Sequence, residues 1–147
     1  MLLRVISIFL ILFLFSCSNR DTEAARAQEI YDQANKIHDE IMPMMGKIYR
    51  QQQRLQSMLT ILKKDSIQYA DKNKLIETRL DALNTAGDAM MDWMHTVRVP
   101  PGMTADPMQP ADTLTGGIEI QRVQLKAIED VRDAMEKSIA NAAAIQE

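Results

Sequence analysis

A stripe of apolar residues with alternating spacings of four and three constrains the fold of this chain more than any other sequence feature. The stripe runs through Ile30, Ala34, Ile37, Ile41, Met44, Ile48, Gln51, Leu55, Met58 and Leu62, and only Gln51 interrupts its apolar character. Such spacings place residues on one side of an α-helix, because the helix turns once every 3.6 residues. A stripe of this length predicts a long helix that packs lengthwise against other helices, as in a coiled coil.

Pro43 lies inside this first predicted helix, and Gly46 follows it closely. Proline lacks the backbone N–H that a helix interior needs, so it kinks or breaks the helix. The apolar spacing keeps its phase across Pro43. We therefore predict one bent helix over about 23–63 rather than two separate helices.

Two further stripes predict a second helix over about 66–97 and a third over about 114–146, with a proline-rich loop at 98–112 between them. The second stripe is Tyr69, Ile76, Leu80, Leu83, Gly87, Met90, Met94 and Val97. The third is Leu114, Ile118, Leu125, Ile128, Met135, Ile139 and Ala142. A short turn makes successive helices antiparallel. The predicted fold class is all-α: an antiparallel three-helix up-down-up bundle with a long, Pro-kinked first helix.

The first sixteen residues are almost wholly apolar and are predicted to be a lipoprotein signal peptide rather than part of the fold. Arg4 is the only charged residue among them, and the apolar run from Val5 to Leu14 is about ten residues long. A membrane-spanning helix needs roughly 20. The leader is therefore typical of an export signal.

Cys17 follows the leader in a pattern that resembles a bacterial lipobox. The four residues concerned are Leu14, Phe15, Ser16 and Cys17. The thiol would form a thioether to diacylglycerol, and acyl chains such as palmitate would hold the protein in a membrane, since each buried CH₂ contributes about 0.8 kcal/mol. Inner-membrane lipoproteins carry Asp where Ser18 stands, so we expect an exported protein at the outer membrane, on its periplasmic or surface face. Residues 17–22 would form a polar tether and 23–147 the helical bundle.

Composition argues against several classes of function. The formal net charge of -3 offers no basic field for nucleic acid. The single cysteine permits no internal disulfide bond. No nucleophile with a nearby base and no glycine-rich phosphate loop can be recognised. We therefore expect a non-enzymatic helical binding or structural module, whose partner would be another envelope protein or a second copy of the chain.

Residues with metal-binding chemistry occur in two segments, 38–45 and 90–95, that antiparallel pairing about the turn would bring to one level. Thioether and imidazole groups suit Cu(I), and imidazole with carboxylate suits zinc. An envelope copper- or zinc-binding protein is therefore the alternative function. Its candidate ligands would be His38, Met42, Met45, Met91, Asp92 and His95. The competing interpretation, which we favour, is that the methionines pack around the kinked helix and no cofactor is bound.

The same two segments resemble a known family. The residues 38–43, with Met45-Gly46, and the residues 90–95 are similar to signature segments of small helical lipoproteins from Bacteroidota-type bacteria, and the stretch 128–139 is similar too. These proteins are often labelled viral A-type inclusion proteins, a label that has no biochemical basis. The resemblance covers most of the mature chain. It implies a helical lipoprotein and brings no activity or catalytic residue with it.

Overall fold

The computed structural model describes residues 18–65, 67–100 and 117–146, and these residues contain helices, turns and no strand. The α-helices are α1 (Ser18–Ile41), α2 (Met44–Leu62), α3 (Ala70–Thr96) and α4 (Gly117–Ala143), and a 3₁₀ turn spans Lys63–Asp65. The all-α prediction is confirmed. The predicted signal peptide, the predicted lipidation site Cys17 and most of the predicted loop lie outside the described residues.

The region predicted as one bent helix over 23–63 contains two helices, which are separated at Pro43. The N–H of Met42 still donates to the carbonyl of His38 four residues back, at 2.8 Å. Pro43 has no N–H to donate, and the N–H of Met45 reaches only three residues back, to Met42, at 3.2 Å. The helical hydrogen-bond pattern is therefore interrupted at the proline and resumes in α2.

Other boundaries also differ from the sequence-based ones. The backbone of 18–22, predicted as a polar tether, is helical and belongs to α1. Helix α3 begins at Ala70 instead of 66, because a turn at 67–69 precedes it. Helix α4 ends at 143 instead of 146, and its predicted start at 114 lies outside the described residues. Helix ends depend on local capping, which apolar periodicity does not report.

The chain divides into two compact units. The first unit combines Met1–Gln33 with Arg98–Leu125, and the second combines Ala34–Val97 with Lys126–Glu147. Helices α1 and α4 each contribute residues to both units.

Apolar residues spaced seven apart form the core of the second unit. The most deeply buried of them, each 2 % exposed or less, are Ala34, Ile41, Ile48, Leu55, Ile76, Leu83, Met90, Ile128, Met135 and Ala142. The spacing of seven continues from Ile41 in α1 to Ile48 in α2, so the apolar stripe does keep its phase across the proline. This continuity explains how one face of the sequence stays buried although the helix is interrupted.

Helices α2 and α3 pack against each other in antiparallel orientation. The side-chain amide of Gln52 donates to Oδ1 of Asn84 at 2.8 Å. Nearer the turn, Nζ of Lys63 lies 3.1 Å from a carboxylate oxygen of Glu77. The residue number falls along α3 as it rises along α2, which is the order expected from the short connection.

Gly87 belongs to the second apolar stripe and lies on the buried face of α3. A Cβ added at Gly87 would lie 3.8 Å from Cε of Met45 and 3.9 Å from Cγ2 of Ile48, which are ordinary van der Waals distances. The position therefore has room for a methyl group. Glycine here weakens the helix rather than permitting a close approach.

We expect Gly87→Ala to stabilise the protein by roughly 0.5–1 kcal/mol, because alanine is the better helix former and its methyl group fits. Urea unfolding followed by circular dichroism measures the change. The matched variant Gly87→Leu should destabilise the fold, since its larger side chain would press on Met45 and Ile48. A loss of stability in Gly87→Ala would contradict the spacing described for this contact.

Candidate functional site

The structure brings one pair of the predicted cluster residues into contact. The imidazole of His38 stacks on the indole of Trp93, with ring centroids 5.5 Å apart and an interplanar angle of 22°. Nδ1 of His38 lies 3.0 Å from Oδ1 of its neighbour Asp39. Trp93 is buried, at 6 % exposure. The ends of α1 and α3 are therefore close together, as the antiparallel alignment predicted.

Most of the other candidate ligands are exposed to solvent. Asp92 and His95 are exposed, and Met42 and Met91 are 40 % and 42 % exposed. Met45 instead packs toward Gly87.

Helix geometry places His95 on a different side of α3 from Trp93. His95 stands two residues beyond Trp93, about 200° around α3, so it leaves the helix on the side away from the stacked His38. Within the described residues no group of three or more His, Cys, Asp or Glu side chains is placed to hold a metal ion. The contact that the structure shows in these two segments is the ring stack of His38 on Trp93, and Asp92 and His95 beside it are exposed.

Arg54 of α2 binds the C-terminal end of α4. Its Nη2 donates to the carbonyl of Ala142 at 2.5 Å, and its Nη1 donates to the carbonyl of Ile145 at 2.9 Å. The last carbonyls of an α-helix have no partner within the helix and carry partial negative charge. A half-buried guanidinium therefore caps α4 from a neighbouring helix.

Gln51, the polar member of the first apolar stripe, belongs to this capping arrangement. Nε of Arg54 donates to Oε1 of Gln51 at 3.0 Å, and Nη1 lies 3.5 Å from Sδ of Met58. Gln51 holds the guanidinium in place beside the core. Gln51 interrupts the first apolar stripe, and this interruption is the sequence feature that could have pointed to Arg54. No local sequence pattern indicates that Arg54 binds the end of α4.

Gln121 and Gln124 form a second polar contact, in the first unit. Their amides donate to the carbonyl of Arg98 at 3.1 and 3.0 Å, while the N–H of Arg98 donates to Oε1 of Gln124 at 2.6 Å. Nε2 of Gln124 also donates to Oε1 of Gln121, at 2.8 Å. Both glutamines are buried, at 1 % and 9 % exposure. They fix the backbone that leaves α3, and apolar periodicity gave no indication of them.

A surface groove of about 470 Å³ lies in the second unit, between the last turns of α2 and the first turn of α3. Its lining residues are Arg54, Ser57, Met58, Ile61, Leu62 and Lys72. Met58 is buried, whereas Ile61 is 64 % exposed. The groove thus combines an apolar wall with two cationic side chains, and none of its lining residues is acidic. We call it the Lys72 groove.

The size of the Lys72 groove falls within the roughly 300–1,000 Å³ typical of small-ligand sites. Met58 and Leu62 belong to the first apolar stripe, but the sequence did not predict a groove, because Lys72 and the end of α2 are neighbours only after the helices fold back.

Comparison with known proteins finds no matching family model, no curated protein with significant sequence similarity and no solved structure with significant similarity. Among the described residues, no helix is both long enough and apolar enough to cross a membrane.

Proposed function

We propose that this chain is a lipid-anchored helical module of the bacterial envelope that acts by binding rather than by catalysis. The lipid is attached at Cys17, and the protein resides at the outer membrane, facing the periplasm or the cell surface. The apolar leader, the lipobox-like residues 14–17 and the resemblance to small helical lipoproteins support the anchor. The Lys72 groove is the observation that favours binding over a purely structural role.

The proposed architecture is an antiparallel three-helix up-down-up bundle. Helices α1 and α2 together form its first arm, bent at Pro43, and α3 and α4 form the second and third. The antiparallel contacts of α2 with α3 support this arrangement. Arg54, in the second half of α2, caps the end of α4, as expected when the first and third arms run in the same direction.

The lipid anchor is tested by Cys17→Ser in a bacterial host supplied with radiolabelled palmitate. We expect the unchanged protein to incorporate label and to stay in the membrane fraction after an alkaline wash. The variant should take up no label and leave the membrane, because its hydroxyl cannot form the thioether. Its circular dichroism should remain helical.

Ser16→Ala is the matched control, since it keeps a small residue before the cysteine and should be lipidated normally. The anchor proposal fails if the unchanged protein takes up no palmitate. It also fails if Cys17→Ser remains bound to the membrane after the alkaline wash.

A further inference from the structure

The Lys72 groove carries positive charge that no acidic side chain among the described residues pairs with. Arg54 donates to two backbone carbonyls, an amide oxygen and a thioether sulfur, and the partial negative charge at the end of α4 offsets only part of its charge. Lys72 is half-buried and forms no ion pair with any residue in the described parts of the chain. Partial burial of a cation without a counter-charge is unfavourable, so the groove favours an anion.

The rest of the lining is apolar and borders solvent. Met58 forms the buried floor, and Leu62 and Ile61 extend the apolar surface outward. Removing such a surface from water stabilises whatever covers it. A ligand that satisfies both parts of the groove must therefore join an anionic group to an aliphatic chain.

We infer that the Lys72 groove binds a single anionic amphiphile. The aliphatic chain lies along Met58, Ile61 and Leu62, and the carboxylate or phosphate head group pairs with Lys72 within the field of Arg54. A cavity of about 470 Å³ suits one such molecule. A protein partner would cover roughly 800 Å² of surface, far more than six residues provide.

This inference rests on the proposed binding role but not on the lipid anchor. Isothermal titration of the full-length chain carrying Cys17→Ser tests it, with dodecanoate as the probe below its micelle concentration. We expect saturable binding of one dodecanoate per chain. Dodecanol has the same chain without the charge and should bind about tenfold more weakly or worse, since hydrogen bonds to charged groups stabilise by roughly 1.5–3 kcal/mol.

Dodecyl phosphate distinguishes the two kinds of head group. Tighter binding than dodecanoate would point to a phosphate-bearing lipid, and weaker binding would point to a fatty acid. Either order supports the inference, because both molecules are anionic amphiphiles.

Lys72→Met removes the charge and keeps most of the aliphatic stem, so it should weaken dodecanoate binding about tenfold. Lys74→Met is the matched control: Lys74 is exposed on the same helix and about 200° away from Lys72, so binding should not change. Ile61→Asn replaces an exposed apolar wall residue and should weaken dodecanoate and dodecanol alike. Arg54 is left unchanged because it caps α4.

Several results would overturn the inference. They are an absence of dodecanoate binding, equal binding of dodecanol, and a loss in Lys74→Met as large as that in Lys72→Met. Binding that neither Lys72→Met nor Ile61→Asn affects would place the ligand elsewhere, for example on the apolar leader, and would also contradict it. If an acidic amphipathic peptide binds and dodecanoate does not, the ligand of the groove is a protein partner and not a small amphiphile. Because palmitate labelling is independent of these titrations, failure of the groove and failure of the anchor can be told apart.

Discussion

Leu83→Ala should lower the free energy of unfolding by about 2–5 kcal/mol. Leu83 is fully buried in α3 and lies in the seven-residue repeat between Ile76 and Met90, which are fully buried too. Truncation removes apolar atoms from contact with the core and leaves a cavity that the neighbouring helices fill only partly. Urea unfolding followed by circular dichroism, in a common Cys17→Ser background without lipid, measures the loss.

Leu75→Ala is the matched control for this substitution, because it is the same change on the same helix at a position that is 44 % exposed. We expect it to change stability by less than about 0.5 kcal/mol. Leu80, which the predicted stripe also included, is only half-buried and should fall between the two. Equal losses in Leu75→Ala and Leu83→Ala would show that the buried face of α3 is assigned incorrectly.

Arg54→Met should destabilise the protein by about 1.5–3 kcal/mol, which is the range for hydrogen bonds to charged groups. Methionine preserves the apolar stem beside the core and removes the guanidinium. The carbonyl of Ile145 then loses the guanidinium donor, the carbonyl of Ala142 keeps only the N–H of Ile145 at 3.2 Å, and Gln51 loses its partner. The positive charge at the C-terminal end of α4 is lost as well. The urea midpoint measures the effect.

Two further variants separate the cap from a general effect of charge. Arg50→Met removes an exposed cation one turn earlier in α2 and should have little effect. Arg54→Lys keeps the charge but not the planar fork that reaches two carbonyls, so it should recover only part of the stability. A loss in Arg50→Met as large as that in Arg54→Met would contradict the proposed cap.

Much of the helical pattern could be predicted from the sequence. The spacing of threes and fours identified the buried faces of α2 and α3, including Ile48, Leu55, Ile76 and Leu83. The break at Pro43 was anticipated as a bend, whereas the structure has two helices there, because the lost hydrogen bond is not replaced. Apolar periodicity depends only on residues close together along the chain. The helices and their buried faces, which follow from it, are therefore the part of the fold that can be predicted best.

The arrangement of the side chains in segments 38–45 and 90–95 could be predicted only in part. In the segments that hold the methionines and histidines, His38 stacks on Trp93, whereas Asp92 and His95 are exposed. Antiparallel alignment predicted the level of these residues along the helices, but it could not predict the side of α3 from which each one points. A shift of two residues along a helix reverses the direction of a side chain.

The sequence by itself determined the all-α character of the chain, its apolar stripes and the lipobox-like pattern, because each depends on residues close together along the chain. Only the tertiary structure decided where the polar side chains find their partners. Arg54 meets carbonyls 88 and 91 residues further on, and Gln121 and Gln124 turn inward to bind the backbone of Arg98. The Lys72 groove arises in the same way. The partner of each of these polar side chains depends on which helix end the fold brings close to it. The local periodicity of the sequence does not encode that proximity.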